Sequence, residues 1–213
     1  SGIFFLLGLT VYHDPSFKFN KALCTGLVLG FSVVFRLQSL VLVGPFLLWV
    51  LWIEKVKARF FITLISSIVI AILLNTLLDS FFYGRFVFTP WEYFRMNYLE
   101  DRASSFGVAP WYYYLSWIYY RSFMPIGIMI YFGLFMLLVK KPRSIIAWCF
   151  ILFVAAHSYI THKELRFLFP IVFLVPFIIT YGIDSLYQWI KNSKIAVYIG
   201  VVVLSLLLVV NLF

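Results

Sequence analysis

The sequence predicts an all-α protein whose helices cross a membrane several times. Of its 213 residues, 64% are apolar and only 12% charged, where a soluble domain is about half apolar and a quarter charged. Apolar runs of about 18 residues recur along the chain, each long enough for a hydrocarbon core of about 30 Å. Alternating segments of about ten residues are absent, which excludes a transmembrane β-barrel. The basic excess, 17 Lys and Arg against 8 Asp and Glu, suits the flanks of membrane helices better than a nucleic-acid surface. Cys24 and Cys149 sit inside apolar runs, in no metal or redox spacing, and imply no disulfide.

Residues 1–11 read as the end of one span. The chain opens on SGIFFLLGLTVY, with neither an initiator Met nor a basic n-region, so this stretch is not a signal peptide, and it stops on the apolar VVVLSLLLVVNLF. An internal or C-terminal piece of a longer protein is expected, forming a single transmembrane domain over 1–213. The polar loop HDPSFKFNK leads into residues 22–53, which are apolar apart from Arg36 and Gln38. One helix of that length would measure about 48 Å at 1.5 Å per residue, and a midplane Arg costs about 3 kcal/mol. A steeply tilted helix with Arg36 facing the bundle is one solution. Two helices, 22–35 and 37–53, forming a hairpin with Arg36 near its non-cytoplasmic tip, relieve both problems and are the expected form.

Further spans are expected at about 60–78, 123–139, 144–160, 167–188 and 195–213. EKVKAR, KKPR and KNSK lie between them and carry eight Lys/Arg and one acid, which assigns them to the cytoplasmic side. Residues 79–122 and the HKELR stretch at 162–166 then face the lumen or periplasm. The 79–122 segment is rich in Trp and Tyr, which favour the membrane–water interface. One or two amphipathic helices lying on the membrane are expected there, broken at Gly107 and Pro110. Aromatic faces beside Asp, Glu and Asn also suit carbohydrate, since rings stack on sugar C–H faces while carboxylates accept from hydroxyls. Composition leaves an aromatic belt and a sugar site equally open.

Soluble-enzyme motifs are absent: no phosphate-cradling Gly loop, no Gly-x-Ser-x-Gly elbow and no Asp-x-Asp pair. His157, His162 and Glu164 match no familiar metal-ligand spacing, so no metal is expected. Glu100 and Asp101 are adjacent carboxylates of the kind that act as a base, although a solvated interfacial loop is the commoner explanation.

The stretch HKELRFLFP closely resembles the His-Lys-Glu-x-Arg-Phe signature of glycosyltransferase family 22, the dolichyl- or polyprenyl-phosphate-mannose-dependent mannosyltransferases of GPI-anchor and N-glycan assembly. DSFFYGRFVFTPWEYFRMNYLEDRASSFGVAPWYYYLS resembles the family's Asp…Phe-Tyr-Gly…Thr-Pro-Trp…Asn stretch and its following Ser…Gly…Pro-Trp. GLVLGFSVVFRLQSLVLVGP is a weaker match to a Gly-rich segment with Arg and Pro. The three occur in family order and span residues 22–176.

The resemblance implies a GT-C helical bundle that moves mannose from a polyprenyl-phosphate carrier to a lipid-linked glycan. The lipid-linked sugar is then substrate, and no cofactor is expected. The integral membrane protein would reside in the endoplasmic reticulum of a eukaryote or the inner membrane of a bacterium. The family's general base lies in an N-terminal non-cytoplasmic loop with no matching segment here, so no catalytic residue is assigned. The implied donor-phosphate ligands are Lys163, Arg166, His162 and Arg36; Glu164, Trp91, Asn97, Tyr83 and Trp111 are the candidate substrate contacts. If a helical turn continues through Leu165, Lys163 and Arg166 share a face and reach one phosphate. The rival readings are a transporter or flippase with HKELR in a polar pathway, for which no internal repeat is found, and a non-catalytic GT-C subunit.

Overall fold

The computed structural model describes residues 1–191 apart from Asp101, together with Tyr198 and Ser205. Every α-helix expected up to residue 160 is present, and no strand occurs among the described residues. The expected span at 195–213, most of KNSK and Asp101 fall outside them. The described chain divides into two compact units: Ser1–Tyr114 with Trp148–Phe173, and Leu115–Ala147 with the described residues from Leu174 onward.

The first unit begins with α1 (Gly2–His13) and α2 (Lys21–Phe35). Asn20 caps α2 by accepting from the Leu23 N–H at 3.2 Å, as a short polar side chain at this position does best. The apolar run then breaks at Arg36, whose backbone is extended, with φ −161° and ψ 111°. A single 3-10 turn, Leu37–Ser39, leads into α3 (Leu40–Trp52). The run from 22 to 53 is therefore two helices with Arg36 at the break between them. Rings tie the pieces together: Phe5 and Tyr12 of α1 meet Phe46 of α3 edge-on at 6.3 and 5.4 Å.

α4 (Ala58–Tyr83) has 26 residues and neither Gly nor Pro inside it. It is the one unbroken helix among the described residues long and apolar enough to cross a bilayer alone. Its inner face packs on α2 through Leu64, Ser67, Ile68 and Ala71. Small residues allow helix backbones to approach closely, and here the approach requires them. A Cβ on Gly26 would meet the Leu64 carbonyl oxygen and lie 2.6 Å from the Ser67 Cβ; one on Gly30 would lie 2.5 Å from the Ala71 Cβ. The outer face of α4 is an exposed apolar stripe that includes Ile62, Val69, Leu73, Leu77 and Phe81.

α4 runs past the expected end at residue 78, so Asp79 and Tyr83 belong to a helix and not to the aromatic segment. Asp79 accepts from Asn75 Nδ2 at 2.8 Å and from Thr89 Oγ1 at 2.5 Å. The second bond joins the end of α4 to the start of α5 (Thr89–Phe94). A π-turn at Arg95–Leu99 and a 3-10 turn at Arg102–Phe106 follow, and the chain leaves helical geometry at Gly107–Pro110, as expected. α8 (Ile145–Tyr159) enters this unit at Trp148, and a 3-10 turn at Leu165–Leu168 passes into α9 (Phe169–Val172).

The second unit holds most of α6 (Tyr113–Arg121), then α7 (Met124–Lys140) and α10 (Val175–Lys191). α7 and α10 pack together, with Lys141 Nζ over the Tyr181 ring at 5.2 Å. The single span expected over 167–188 is interrupted: α9 ends at Val172 and α10 starts at Val175. Pro176 supplies the reason. It has no N–H for a bond to Val172, and its ring disfavours helical geometry at the preceding residue, so a helix that starts at Val175 and holds it in the first turn suits it.

The α2–α4 contact yields a stability prediction. Gly26→Ala places a methyl against the backbone of α4, an overpacking that costs about 1–3 kcal/mol. Leu23→Ala, on the exposed side of the same helix, should stay within about 0.5 kcal/mol. Thermal unfolding of the two purified variants checks this; equal midpoints would show that α2 and α4 do not approach as described.

Candidate functional site

The site lies within the first unit, around a cavity of about 570 Å³. Four stretches distant in sequence reach it. The break after α2 supplies Arg36 and Gln38; α5 and the π-turn supply Tyr93 and Asn97; the 3-10 turn contributes Phe106; and α8 with the loop after it brings His157, His162, Glu164, Arg166 and Phe167.

The HKELR loop is fixed to residues 107–114 by a set of bonds across more than fifty positions. Gly107, at φ +102°, adopts a conformation that L side chains rarely take, and its carbonyl accepts from His162 Nδ1 at 2.7 Å. The Ala109 carbonyl accepts from Lys163 Nζ at 3.0 Å, and the Ile160 carbonyl accepts from the same ammonium at 2.5 Å. Tyr114 is fully buried. Its hydroxyl donates to the Glu164 carbonyl and accepts from the Glu164 N–H, both at 3.1 Å. Burial pushes this phenol up to about 12, so it stays protonated and keeps donating.

Glu164 sits between the His162 ring and the Arg166 guanidinium. Its Oε1 accepts from His162 Nε2 at 2.9 Å and from the Arg166 guanidinium at 3.0 Å, while Arg166 Nε bonds to Oε2. The bond from His162 is the main reason the carboxyl is held below the ordinary carboxylate range; Arg166 acts in the same direction and partial burial opposes both. His162 faces an acceptor at each ring nitrogen, so only the doubly protonated ring makes both bonds at once. Arg36 differs from these. Among the described residues it has no ion pair or hydrogen bond, only the Phe169 ring beneath its guanidinium at 5.8 Å. Burial and the like charge of Arg166 lower its pKa, against the weaker opposing effect of Tyr93 and Glu164.

On the second wall, Asn97 Nδ2 donates to the Tyr93 carbonyl at 2.9 Å. That bond orients the amide and leaves Oδ1 as an acceptor. Gln38 Nε2 donates to the Tyr93 hydroxyl at 3.0 Å. The arrangement thus offers cationic donors on one side and amide and aromatic groups on the other.

Of the residues singled out from sequence, Arg36, Asn97, His162, Glu164 and Arg166 line the cavity. Lys163 does not. It is 9% exposed, and burial lowers its pKa. The expected shared face with Arg166 is absent because Glu164 is extended, at φ −131° and ψ 143°, and the turn begins only at Leu165. Tyr83, 61% exposed on the last turn of α4, and Trp111, 66% exposed, lie away from the cavity, as does Trp91, which leans on Phe94 at 5.9 Å. Glu100 is held in an exposed chain of ion pairs with Arg95 and Arg102. Sequence reading passed over Gln38, Tyr93, Phe106 and Phe167, and took His157 only as a doubtful metal ligand. Gln38 had a signal, as the second polar residue in an apolar run. So had His157, one turn before the motif.

Comparison with known proteins agrees with this organisation. The chain matches the Alg9-like mannosyltransferase family over residues 2–213. It is 25% identical over 191 residues to the GPI alpha-1,2-mannosyltransferase 3 of Danio rerio, covering 88% of this chain and 35% of that protein. It is 27% identical over 150 residues to the GPI mannosyltransferase 3 of Debaryomyces hansenii, covering 69% and 26%. With the probable Dol-P-Man:Man(7)GlcNAc(2)-PP-Dol alpha-1,6-mannosyltransferase of Schizosaccharomyces pombe it shares 30% identity over 115 residues, 53% of this chain and 20% of the relative. The chain therefore spans about a third or less of the length of these relatives. No solved structure gives a significant match. With the family match running from residue 2 to residue 213, this chain belongs to the Alg9-like mannosyltransferase family.

Proposed function

We propose that this chain forms part of an integral membrane mannosyltransferase that moves mannose from dolichyl- or polyprenyl-phosphate to a lipid-linked glycan or GPI precursor. The reaction takes place on the non-cytoplasmic side, in the endoplasmic reticulum of a eukaryotic cell. One observation carries the reading: Arg36, whose side chain has no ion pair or hydrogen bond among the described residues, faces the cavity beside Arg166. The relatives named above are all transferases, and the donor printed for one of them is Dol-P-Man.

The membrane part of the reading rests on α4. Its stripe of exposed Ile, Val, Leu and Phe continues over the length of the helix, which in water would be an unusually large apolar patch. In lipid it needs no cover. The GT-C-type bundle, the single transmembrane domain over 1–213 and the interfacial placement of the 79–122 segment belong to the same proposal.

Transfer of mannose leaves a phosphate monoester on the lipid, so negative charge grows on its oxygens as the glycosidic bond breaks. Donors already in place lower that barrier without reorganising. Arg36 is the better placed of the two arginines because nothing neutralises it. Arg166 shares its charge with Glu164. Glu164 orients His162 and Arg166; with both carboxylate oxygens engaged by cations, it is a poor base. Asn97 and the rings of Tyr93, Phe106 and Phe167 then receive the sugar. Lys163 fixes the loop and is no phosphate ligand.

Two predictions follow from these roles, both for the full-length natural gene product. A hydrogen bond to a charged group contributes about 1.5–3 kcal/mol, and each 1.4 kcal/mol is about tenfold in rate. Arg36→Ala and Arg166→Ala should each lower mannose transfer by about ten- to a hundredfold at normal protein levels, and Arg36→Lys should recover only part, lacking the planar fork. Transfer rate against donor concentration measures this; unchanged kinetics in both alanine variants refute phosphate binding. Lys163→Met removes the donor from the half-buried Ala109 and Ile160 carbonyls, at about 1–3 kcal/mol. It should lower the unfolding temperature while the donor KM of the folded enzyme holds. A raised KM at unchanged stability would return Lys163 to the ligand set.

A further inference from the structure

His157 is 1% exposed and lines the cavity. Its ring stacks on Phe153 at 4.1 Å with 26° between planes, and Nδ1 lies 3.0 Å from the Phe153 carbonyl one turn back in α8. A carbonyl only accepts, so Nδ1 carries the proton and donates. The tautomer is thereby set by the helix itself. In the neutral ring Nε2 is left as an acceptor, and among the described residues it has no partner. An acceptor left open on a cavity wall is available to whatever fills the cavity.

The remaining polar groups indicate what that is. Arg36 and Arg166 only donate, His162 has both ring nitrogens engaged, and Glu164 already accepts three bonds from His162 and Arg166. A phosphate satisfies the cations. A sugar hydroxyl, however, must also give its own proton away, and the cationic groups cannot take it. Asn97 Oδ1 is one acceptor; His157 Nε2 is a second, on a different element.

We infer that His157 is a sugar-binding residue whose Nε2 accepts a hydrogen bond from a hydroxyl of the hexose in the cavity, whether that hexose belongs to the lipid-linked donor or to the acceptor glycan. The inference rests on the transferase reading and adds a contact to it. His157 lies outside the HKELR motif, and its fixed tautomer makes it a selector for hydroxyl over bare phosphate.

The test uses full-length protein with His157→Phe, which keeps a ring stacked on Phe153 but has no acceptor, and His157→Gln, whose amide oxygen replaces Nε2. Binding is measured to dolichyl phosphate and to dolichyl phosphate mannose, and the acceptor KM is measured in transfer. His157→Phe should weaken one sugar-bearing ligand by about tenfold, the size of one hydrogen bond, and leave dolichyl phosphate unchanged; His157→Gln should recover part of the loss. A loss confined to dolichyl phosphate mannose assigns the hydroxyl to the donor, and a loss confined to the acceptor assigns it there. Equal weakening of bare dolichyl phosphate, or no weakening of any ligand in a folded His157→Phe protein, overturns the inference alone. Wild-type protein that binds neither dolichyl lipid overturns the transferase reading and this contact with it.

Discussion

The loop after α8 holds its shape because residues 107–114 supply the hydrogen-bond partners it lacks. Residues 160–164 are not helical, so their backbone groups have no ladder to satisfy them, and an unmade buried bond is costly. The Tyr114 hydroxyl closes both backbone groups of Glu164, Lys163 serves two carbonyls at once, and His162 takes the carbonyl that Gly107 turns towards it. Thr161 adds the backbone bond from the Ala109 N–H at 3.1 Å. Once this set is made, the positions of Glu164 and Arg166 follow, because the chain has no freedom left between the clamp and the turn at Leu165.

Charge in the site is organised around that fixed point. Glu164 holds two cations by short bonds, and although Arg166 is too exposed for its ion pair to add much stability, the pair sets where the guanidinium stands. Arg36 comes from a different element, with a ring beneath it and no carboxylate beside it. Such an arrangement is unfavourable in the empty protein, where two like charges share a wall, and becomes favourable when an anion enters. The phosphate of the proposed lipid-linked donor would be such an anion. His157 and Asn97 supply acceptors, so the wall can read a sugar as well as its phosphate.

Much of the helical architecture was legible from sequence because it depends on local rules. The break at Arg36 follows from the length of the apolar run and the cost of a charge within it. The non-helical stretch after Phe106 follows from Gly107 and Pro110. The interruption before α10 was equally local: Pro176 forbids the bond that a continuous helix needs, but hydropathy is blind to a missing N–H. The end of α4 was misplaced for a related reason. Asp79 looks like a terminus when counted as a charge, yet it is satisfied by Asn75 and Thr89 and rides on the helix.

By itself, the sequence determined an all-α chain, the break at Arg36 and the motif that places this protein in its family, since length, charge cost and residue pattern are properties of neighbours along the chain. Tertiary structure alone decided what each motif residue faces. Lys163 and Arg166 are two cations in one signature, yet one is consumed by carbonyls more than fifty positions away in one case and the other stands on the cavity, because the backbone is extended at Glu164 and turns only after it. Trp91, Tyr83 and Trp111 have the chemistry of sugar-binding rings but do not line the cavity, whereas His157 does. Those are facts of spatial neighbours, and no spacing along the chain encodes them.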